Sequence, residues 1–273
     1  MIGIRKEFIM SLSLQRAITC LQEDPNWKKN IGIGGGIFFL FLVIEIILTV
    51  IALIMTGGDL EAVENNAVLN LVVNIMWIVS TVYLTGYVAQ TLNNYAHNDK
   101  YKMASFGDKN LMLLGLKTIF AFIGYTICLG VIFGLISVPF FFGAGVFMGL
   151  FNGHTGLQIL GILIAILLFG IMFIAILQFV YVASACYIQR LKVGDMFAFK
   201  KHFNILVKNQ GAVWSLVGKT ILYGLLFTAI ALACLVTLVG IFLLPFVYFY
   251  AYFVQYNLCV QFAKEIDIEK YLA

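Results

Sequence analysis

Charged residues are scarce in this sequence, and their scarcity limits the class of protein it encodes. Only 11% of the 273 residues are charged, whereas 62% are hydrophobic and the mean hydropathy is +1.01. A soluble domain is typically about 45–50% apolar and has no interior large enough to hide such an excess. Apolar runs of about 20 residues, enough to cross a hydrocarbon core of roughly 30 Å, recur along the chain. The composition therefore predicts an all-α, polytopic membrane protein with one transmembrane domain over residues 1–273.

Proline is also scarce, with three residues, so the apolar runs are rarely interrupted. Each of six runs can cross as a helix, which satisfies its own backbone hydrogen bonds as lipid requires. We divide the longest run, 213–263, at Gly240 and Pro245, because proline favours the start of a new helix. Residues 139–151 are apolar but too short to cross, which leaves open a re-entrant piece, an interfacial helix or an extension of span three or four. The predicted spans are 31–55, 67–92, 112–137, 157–181, 213–238 and 245–263.

Lysine and arginine are absent from every second loop between these spans. All 17 fall on one side, whereas the loop 56–66 on the opposite side carries Asp59, Glu61 and Glu64. By the positive-inside rule, both termini are cytoplasmic in a cell (cytoplasmic or inner) membrane. The net charge of +4 then faces the anionic inner leaflet, so we expect membrane lipids rather than nucleic acid as partners. The first 30 residues form a cytoplasmic amphipathic lead without the apolar core of a signal peptide.

Clustered reactive side chains are lacking as well. His97, His154 and His202 are far apart, and no cysteine lies within four residues of another, so we expect no metal ion and no other cofactor. No nucleophile stands beside a base, and no carboxylates are paired for acid–base chemistry. We therefore expect no catalytic residues and no enzyme activity.

Three cytoplasmic leads precede the odd-numbered spans, and each carries aromatic and basic residues ahead of an apolar helix. We interpret each lead as an interfacial helix on the cytoplasmic side, and a lead with its following helical hairpin as a unit that is used three times in the same orientation. The third lead has the clearest amphipathic pattern, which predicts an interfacial helix on the cytoplasmic side with its apolar face in lipid. One face carries Met196, Phe199, Phe203 and Leu206, and another carries Lys200, Lys201, Asn204 and Lys208.

Several short motifs accompany these leads. Trp27-Lys28-Lys29 precedes a Gly-rich first span, Gly86-Tyr87 ends the second span, and Asp108 stands seven residues before Gly115. Together they resemble an uncharacterised prokaryotic family of multi-pass membrane proteins, domain of unknown function number 4013. A weaker likeness extends to the membrane domains of some glycerophosphodiester phosphodiesterases. The resemblance implies a multi-pass membrane fold and brings no known catalytic residues.

Glycines four residues apart recur in or beside the apolar runs, and this spacing lets two helices approach closely. The predicted packing pairs are Gly32 with Gly36, Gly130 with Gly134, and Gly145 with Gly149.

The second span carries Asn70, Asn74, Thr81 and Thr85, whose spacing places them on one helical face. One interpretation is hydrogen bonding between helices, at about 0.6–2 kcal/mol for each bond. The other is the wall of a polar pathway.

Glu45 is the one charged residue in the apolar run 37–53. A lone carboxylate in hydrocarbon is costly, so we expect Glu45 to be protonated and hydrogen-bonded inside the bundle. At about 1.5 Å per residue, Asn74 and Trp77 lie near its depth, and Thr49 shares its face. Two roles stay open for it, a neutral acid between helices or a proton- or cation-coupling group.

These patterns favour a non-enzymatic structural or accessory subunit that packs with lipids and with other membrane protein subunits or itself. The glycine pairs and the leads suit assembly, whereas the sparse polar lining argues against a solute pathway. The alternative is a small transporter or channel whose pathway passes Glu45 and the polar face of the second span.

Overall fold

The computed structural model describes residues 12–98, 101–150 and 155–272, and every regular element within these ranges is a helix. Six of the helices are long and apolar enough to cross a membrane, which confirms the prediction of an all-α polytopic protein. The long helices are α2 (Trp27–Met55), α4 (Ala67–His97), α5 (Leu111–Leu150), α6 (Thr155–Arg190), α9 (Gln210–Leu235) and α10 (Leu238–Glu265). The short helices are α1 (Leu14–Thr19), α3 (Leu60–Glu64), α7 (Val193–Met196), α8 (Phe199–Lys208) and α11 (Glu269–Leu272), with a 3-10 turn at Cys20–Glu23.

Charge divides the molecule into two ends. Lys264 near the end of α10 donates to the carbonyl of Asn98 after α4, at 2.7 Å. Arg190 at the end of α6 forms an ion pair with Glu269 of α11. We call this the basic end. The opposite, acidic end carries α3 with Asp59, Glu61 and Glu64. Arg5, Lys6 and Lys100 of the predicted basic side lie outside the described residues.

The sixth spanning helix, α10, is the centre of the bundle and packs against α2, α4, α6 and α9. Phe249 and Phe253 of α10 are buried. Gly34 and Gly35 of α2 make room for the rings of Phe249 and Phe246, because a Cβ on Gly34 would lie 1.9 Å from the Phe249 ring. The last span therefore holds the first one in place through aromatic side chains.

The turn between α9 and α10 lies at Val236 and Thr237, which corrects the expected division at Gly240 and Pro245. Thr237 caps α10 by accepting a hydrogen bond from the Gly240 N–H at 3.0 Å. A Cβ on Gly240 would lie 2.2 Å from the carbonyl oxygen of Cys234, so the chain reversal has no room for a larger residue. Pro245 lies inside α10, where neighbouring helices help to accommodate it.

The apolar segment that begins at Pro139 continues α5 as far as Leu150. Of the three alternatives for this segment, the structure therefore has an extension of the third span. Residue 151 lies outside the described residues.

The second lead differs from the expected interfacial helix, because residues 101–110 form no helix. Tyr101 and Met103 are instead buried in the core. The backbone N–H of Tyr101 donates to Glu23 at 3.1 Å, and that of Met103 donates to Asp24 at 2.7 Å. These carboxylates satisfy N–H groups that a helix would have paired internally.

Candidate functional site

Glu45 lies on α2, half-buried against α4. The indole Nε1 of Trp77 donates to its Oε2 at 2.8 Å. Asn74 and Thr49, the donors expected from depth and face, are exposed and do not bond to Glu45. The Trp77 ring also stacks on Phe38 of α2 with the ring centroids 6.0 Å apart. One polar contact and one ring contact thus join α2 to α4 at the same level.

A cleft of about 650 Å³ lies beside this contact, between α2, α4 and α10. Its volume is within the usual range of small-molecule sites, about 300–1,000 Å³. Leu235, Ile241 and Tyr248 are exposed along one side, so the cleft opens laterally between helices. The lining residues are Phe38, Leu42, Trp77, Thr81, Leu84, Thr85, Leu235, Ile241, Leu244, Pro245, Tyr248, Phe249 and Tyr252.

The predicted polar face of the second span is divided between three environments. Asn70 donates to the carbonyl of Glu64 at 2.8 Å and so fastens α3 to the start of α4. Asn74 is exposed on the helix surface. Thr81 and Thr85 line the cleft. Only the half of this face nearer the basic end therefore belongs to the candidate site.

Stacked aromatic rings close the basic half of the bundle. Tyr87 of α4 stacks on Phe106 of the second lead, with ring centroids 3.8 Å apart. The same ring meets Phe253 of α10 edge-on. The cleft accordingly ends at Thr85 and Tyr252, and the described residues leave no wide continuation toward the basic end.

The first lead is fastened to the basic ends of α9 and α10. The Leu12 N–H donates to Glu265 at 3.0 Å, and the Ser13 N–H donates to Gln261 at 2.9 Å. Lys219 donates to the Leu12 carbonyl. Sequence reasoning missed this contact, although a signal was present in polar residues four apart on the last span: Asn257, Gln261 and Glu265.

The apolar face predicted for the third lead is shared between protein and surroundings. Met196 and Leu206 are buried against the bundle, which corrects their assignment to lipid. Phe199 is half-buried and stacks on Tyr125 of α5, with ring centroids 5.2 Å apart. Phe203 is 61% exposed and remains available to lipid.

The basic face of the third lead is divided too. Lys201 donates to the carbonyl of Leu272 at 2.9 Å and so holds α11. Lys200 and Lys208 are exposed, as is Asn204.

His202 of α8 is fully buried between two polar groups. Its Nε2 lies 2.9 Å from the carbonyl oxygen of Asp195, and its Nδ1 lies 3.3 Å from the hydroxyl of Tyr125. Because a carbonyl only accepts, Nε2 carries a proton, whereas Nδ1 faces the Tyr125 hydroxyl, which itself donates to the Phe179 carbonyl at 3.2 Å. Burial lowers the pKa of His202, with Asp195 opposing the shift.

The glycines that bring helices together within one chain differ from the predicted pairs. A Cβ on Gly115 would lie 1.8 Å from the carbonyl oxygen of Val82, and one on Gly86 would lie 1.9 Å from that of Leu111. Helices α4 and α5 therefore touch backbone to backbone. A Cβ would meet nothing within 4 Å at any of the predicted positions, so their role in helix packing stays a prediction: Gly32, Gly36, Gly130, Gly134, Gly145 and Gly149.

Side chains with reactive or metal-binding chemistry are dispersed. The ranges that the structure describes contain no group of three His, Cys, Asp or Glu residues able to hold a metal ion. Burial raises the pKa of the Cys20 thiol to about 12, so this cysteine is not an activated nucleophile. The Arg190 guanidinium lowers the pKa of Glu269, so that carboxylate is committed to an ion pair.

Comparison with known proteins identifies one family, through a family model that matches part of the chain. A family model described as "Protein of unknown function (DUF4013)" matches residues 69–244, which run from the second span into α10. No curated protein and no solved structure matches the chain, so the likeness to glycerophosphodiester phosphodiesterases is not supported.

Proposed function

Since the chain belongs to the DUF4013 family, whose description states no activity, we propose its function from its geometry. The proposal is a non-enzymatic integral membrane protein that acts as a structural or accessory subunit. It packs with membrane lipids and with other membrane proteins or a second copy of itself.

The closed basic half of the bundle is the observation that carries this proposal. Tyr87, Phe106 and Phe253 fill the space below the cleft, and the first two leads are fastened into the same region. A solute would have to displace these interlocked side chains in order to cross. A rigid scaffold needs no such movement.

The open glycine faces supply surfaces for assembly. A Cβ added to Gly32 or Gly36 of α2, or to Gly130 or Gly134 of α5, would meet no other part of the chain within 4 Å. Small residues at this spacing let a second helix approach closely in lipid.

The basic end supplies the lipid contacts. Lys200 and Lys208 are exposed on α8, next to the exposed Phe203 ring. Each lysine near an anionic surface contributes about 1 kcal/mol. With the basic end in the cytoplasm, α8 lies on the inner leaflet of the cytoplasmic membrane and both termini are cytoplasmic.

The test is mass spectrometry of the intact protein released from membranes by a gentle detergent. We expect a stoichiometric partner subunit or a second copy, and we expect the double change Gly32→Leu and Gly36→Leu to release it. Gly170→Leu is the matched control, because Gly170 is equally open but lies on α6. A chain that is always alone argues against the accessory role.

A second candidate, a small transporter, is favoured by the position of the cleft. Thr81 and Thr85 line it, and the Glu45–Trp77 contact lies at its wall. Proton or cation flux into liposomes that contain only this protein, lost in Glu45→Gln without loss of assembly, favours the transporter over the accessory subunit.

A further inference from the structure

The hydroxyl group of Thr81 is the starting point, because it lines the cleft and makes no hydrogen bond within the part of the chain that the structure describes. Thr118, Thr220 and Thr228 each donate to the carbonyl four residues earlier in their own helix, at 2.8–2.9 Å. Thr81 makes no hydrogen bond to any described residue and is exposed into the cleft. In hydrocarbon, an unpaired hydroxyl favours a ligand that brings an acceptor.

The depth of Thr81 restricts which lipid can bring that acceptor. It lies about 21 Å along α4 from Ala67 and about 24 Å from His97, at 1.5 Å per residue, and so near the middle of the helix. The ester carbonyls of phospholipids lie at the edge of a hydrocarbon core roughly 30 Å thick, about 15 Å from its centre. A carbonyl compound that dissolves wholly in the core can reach Thr81, whereas a phospholipid ester cannot.

The walls of the cleft restrict the shape and charge of the ligand. Flat rings surround the space: Phe38, Trp77, Tyr248, Phe249 and Tyr252. None of the lining residues that the structure describes is charged, so an ionic head group would be costly here. Leu235, Ile241 and Tyr248 are exposed at the lateral opening, through which an apolar tail can leave toward lipid.

We propose that this cleft binds a lipid-soluble carbonyl compound of the isoprenoid quinone class. The flat ring lies among the aromatic side chains, Thr81 donates a hydrogen bond to one carbonyl, and the prenyl tail leaves between α9 and α4. Thr85 lies against the hydroxyl of Tyr252 and closes the floor. The site does not depend on the accessory role proposed above, and no redox step is attached to it.

The test is a titration of the full-length protein in neutral-lipid nanodiscs with a quinone that carries two prenyl units. Trp27→Phe and Trp214→Phe leave Trp77 as the only tryptophan, so quenching reports on the cleft itself. We expect saturable quenching and a loss of affinity of about 2- to 12-fold in Thr81→Val, the usual contribution of one hydrogen bond. Thr228→Val is the matched control, because its hydroxyl is already bonded to Gly224 and does not line the cleft.

A control ligand and a second variant test whether binding depends on the carbonyl group and on the space in the cleft. The inhibition constant of a prenyl hydrocarbon without carbonyls, measured by its competition with the quinone, should be the same in Thr81→Val and in the parent protein. Leu42→Phe narrows the cleft without removing a hydroxyl or adding a second tryptophan, and should weaken saturable quenching, with folding checked by size-exclusion chromatography. Quenching that rises linearly with quinone, equal affinity in Thr81→Val and its parent, or an affinity that is unchanged in Leu42→Phe would each overturn the proposal.

Discussion

Replacing Glu45 measures the contribution of its hydrogen bond to the contact between α2 and α4. The acceptor is the Glu45 Oε2 and the donor is the Trp77 Nε1, 2.8 Å apart. Glu45→Gln keeps a carbonyl acceptor of the same length, so the free energy of unfolding should change by less than about 0.5 kcal/mol. Glu45→Leu leaves the indole N–H unpaired and should lower the free energy of unfolding by about 0.6–2 kcal/mol, the range for hydrogen bonds between membrane helices.

A double-mutant cycle with Trp77→Phe assigns that loss to the contact. Trp77→Phe removes the donor and part of the stack on Phe38, so its own effect is larger than the hydrogen bond alone. The coupling energy between Glu45→Leu and Trp77→Phe should be about 0.6–1.7 kcal/mol. Equilibrium unfolding in mixed micelles measures all four corners, and Thr49→Val is the control on the same helix face. A coupling energy of zero, or a glutamine variant as unstable as the leucine variant, refutes the reasoning.

Three other perturbations test separate parts of the structure. Gly115→Ala should strongly destabilise or prevent folding, because its Cβ would lie 1.8 Å from the Val82 carbonyl oxygen. Gly130→Ala lies in open space and should be neutral or stabilising by up to about 1 kcal/mol. Thermal unfolding of the two variants compares these effects. For the proposed orientation, a cysteine at Asn65 should react with an impermeant maleimide from outside the cell and a cysteine at Asn98 should not, and the reverse pattern contradicts it. Burial lowers the pKa of His202 below its unfolded value of about 6.5, so stability should be complete above that pH and decline as the pH falls through and below it. His202→Gln, which can bond to both Asp195 and Tyr125, should flatten this decline in a melting series from pH 7.5 to 5, and an unchanged slope contradicts the assignment.

Hydropathy was enough to predict the number of spans, because each apolar run has to cross a layer of fixed thickness. It could not place the turn between the last two spans, because both lie in one unbroken apolar run. The depth of Glu45 was predictable, since a helix rises by a constant amount per residue and Trp77 was one of two residues at that level. Choosing Trp77 over Asn74 depends on how α4 is rotated about its own axis, and that rotation is set by packing rather than by spacing.

The spacing of glycines within one helix did not predict which glycines bring two helices of this chain together. Gly86 and Gly115 are on different helices, so no interval within one helix points to their contact. The pairs four apart, such as Gly32 and Gly36, meet the local rule but face away from the rest of the chain. Likewise, the sequence could not predict that the N–H groups of Tyr101 and Met103 donate to Glu23 and Asp24. Those carboxylates lie in a different lead, far away in the sequence.

The fastening of the first lead has a consequence for biogenesis. Leu12 and its partner Glu265 are separated by 253 positions, so the lead leaves the ribosome long before α10 exists. At 5–20 residues per second, the delay is roughly 10–50 s. During that interval, the helices that precede α10 lack the helix against which α2, α4, α6 and α9 pack in the complete chain. The lead therefore forms its hydrogen bonds to Gln261 and Glu265 only after the last helix has been synthesised.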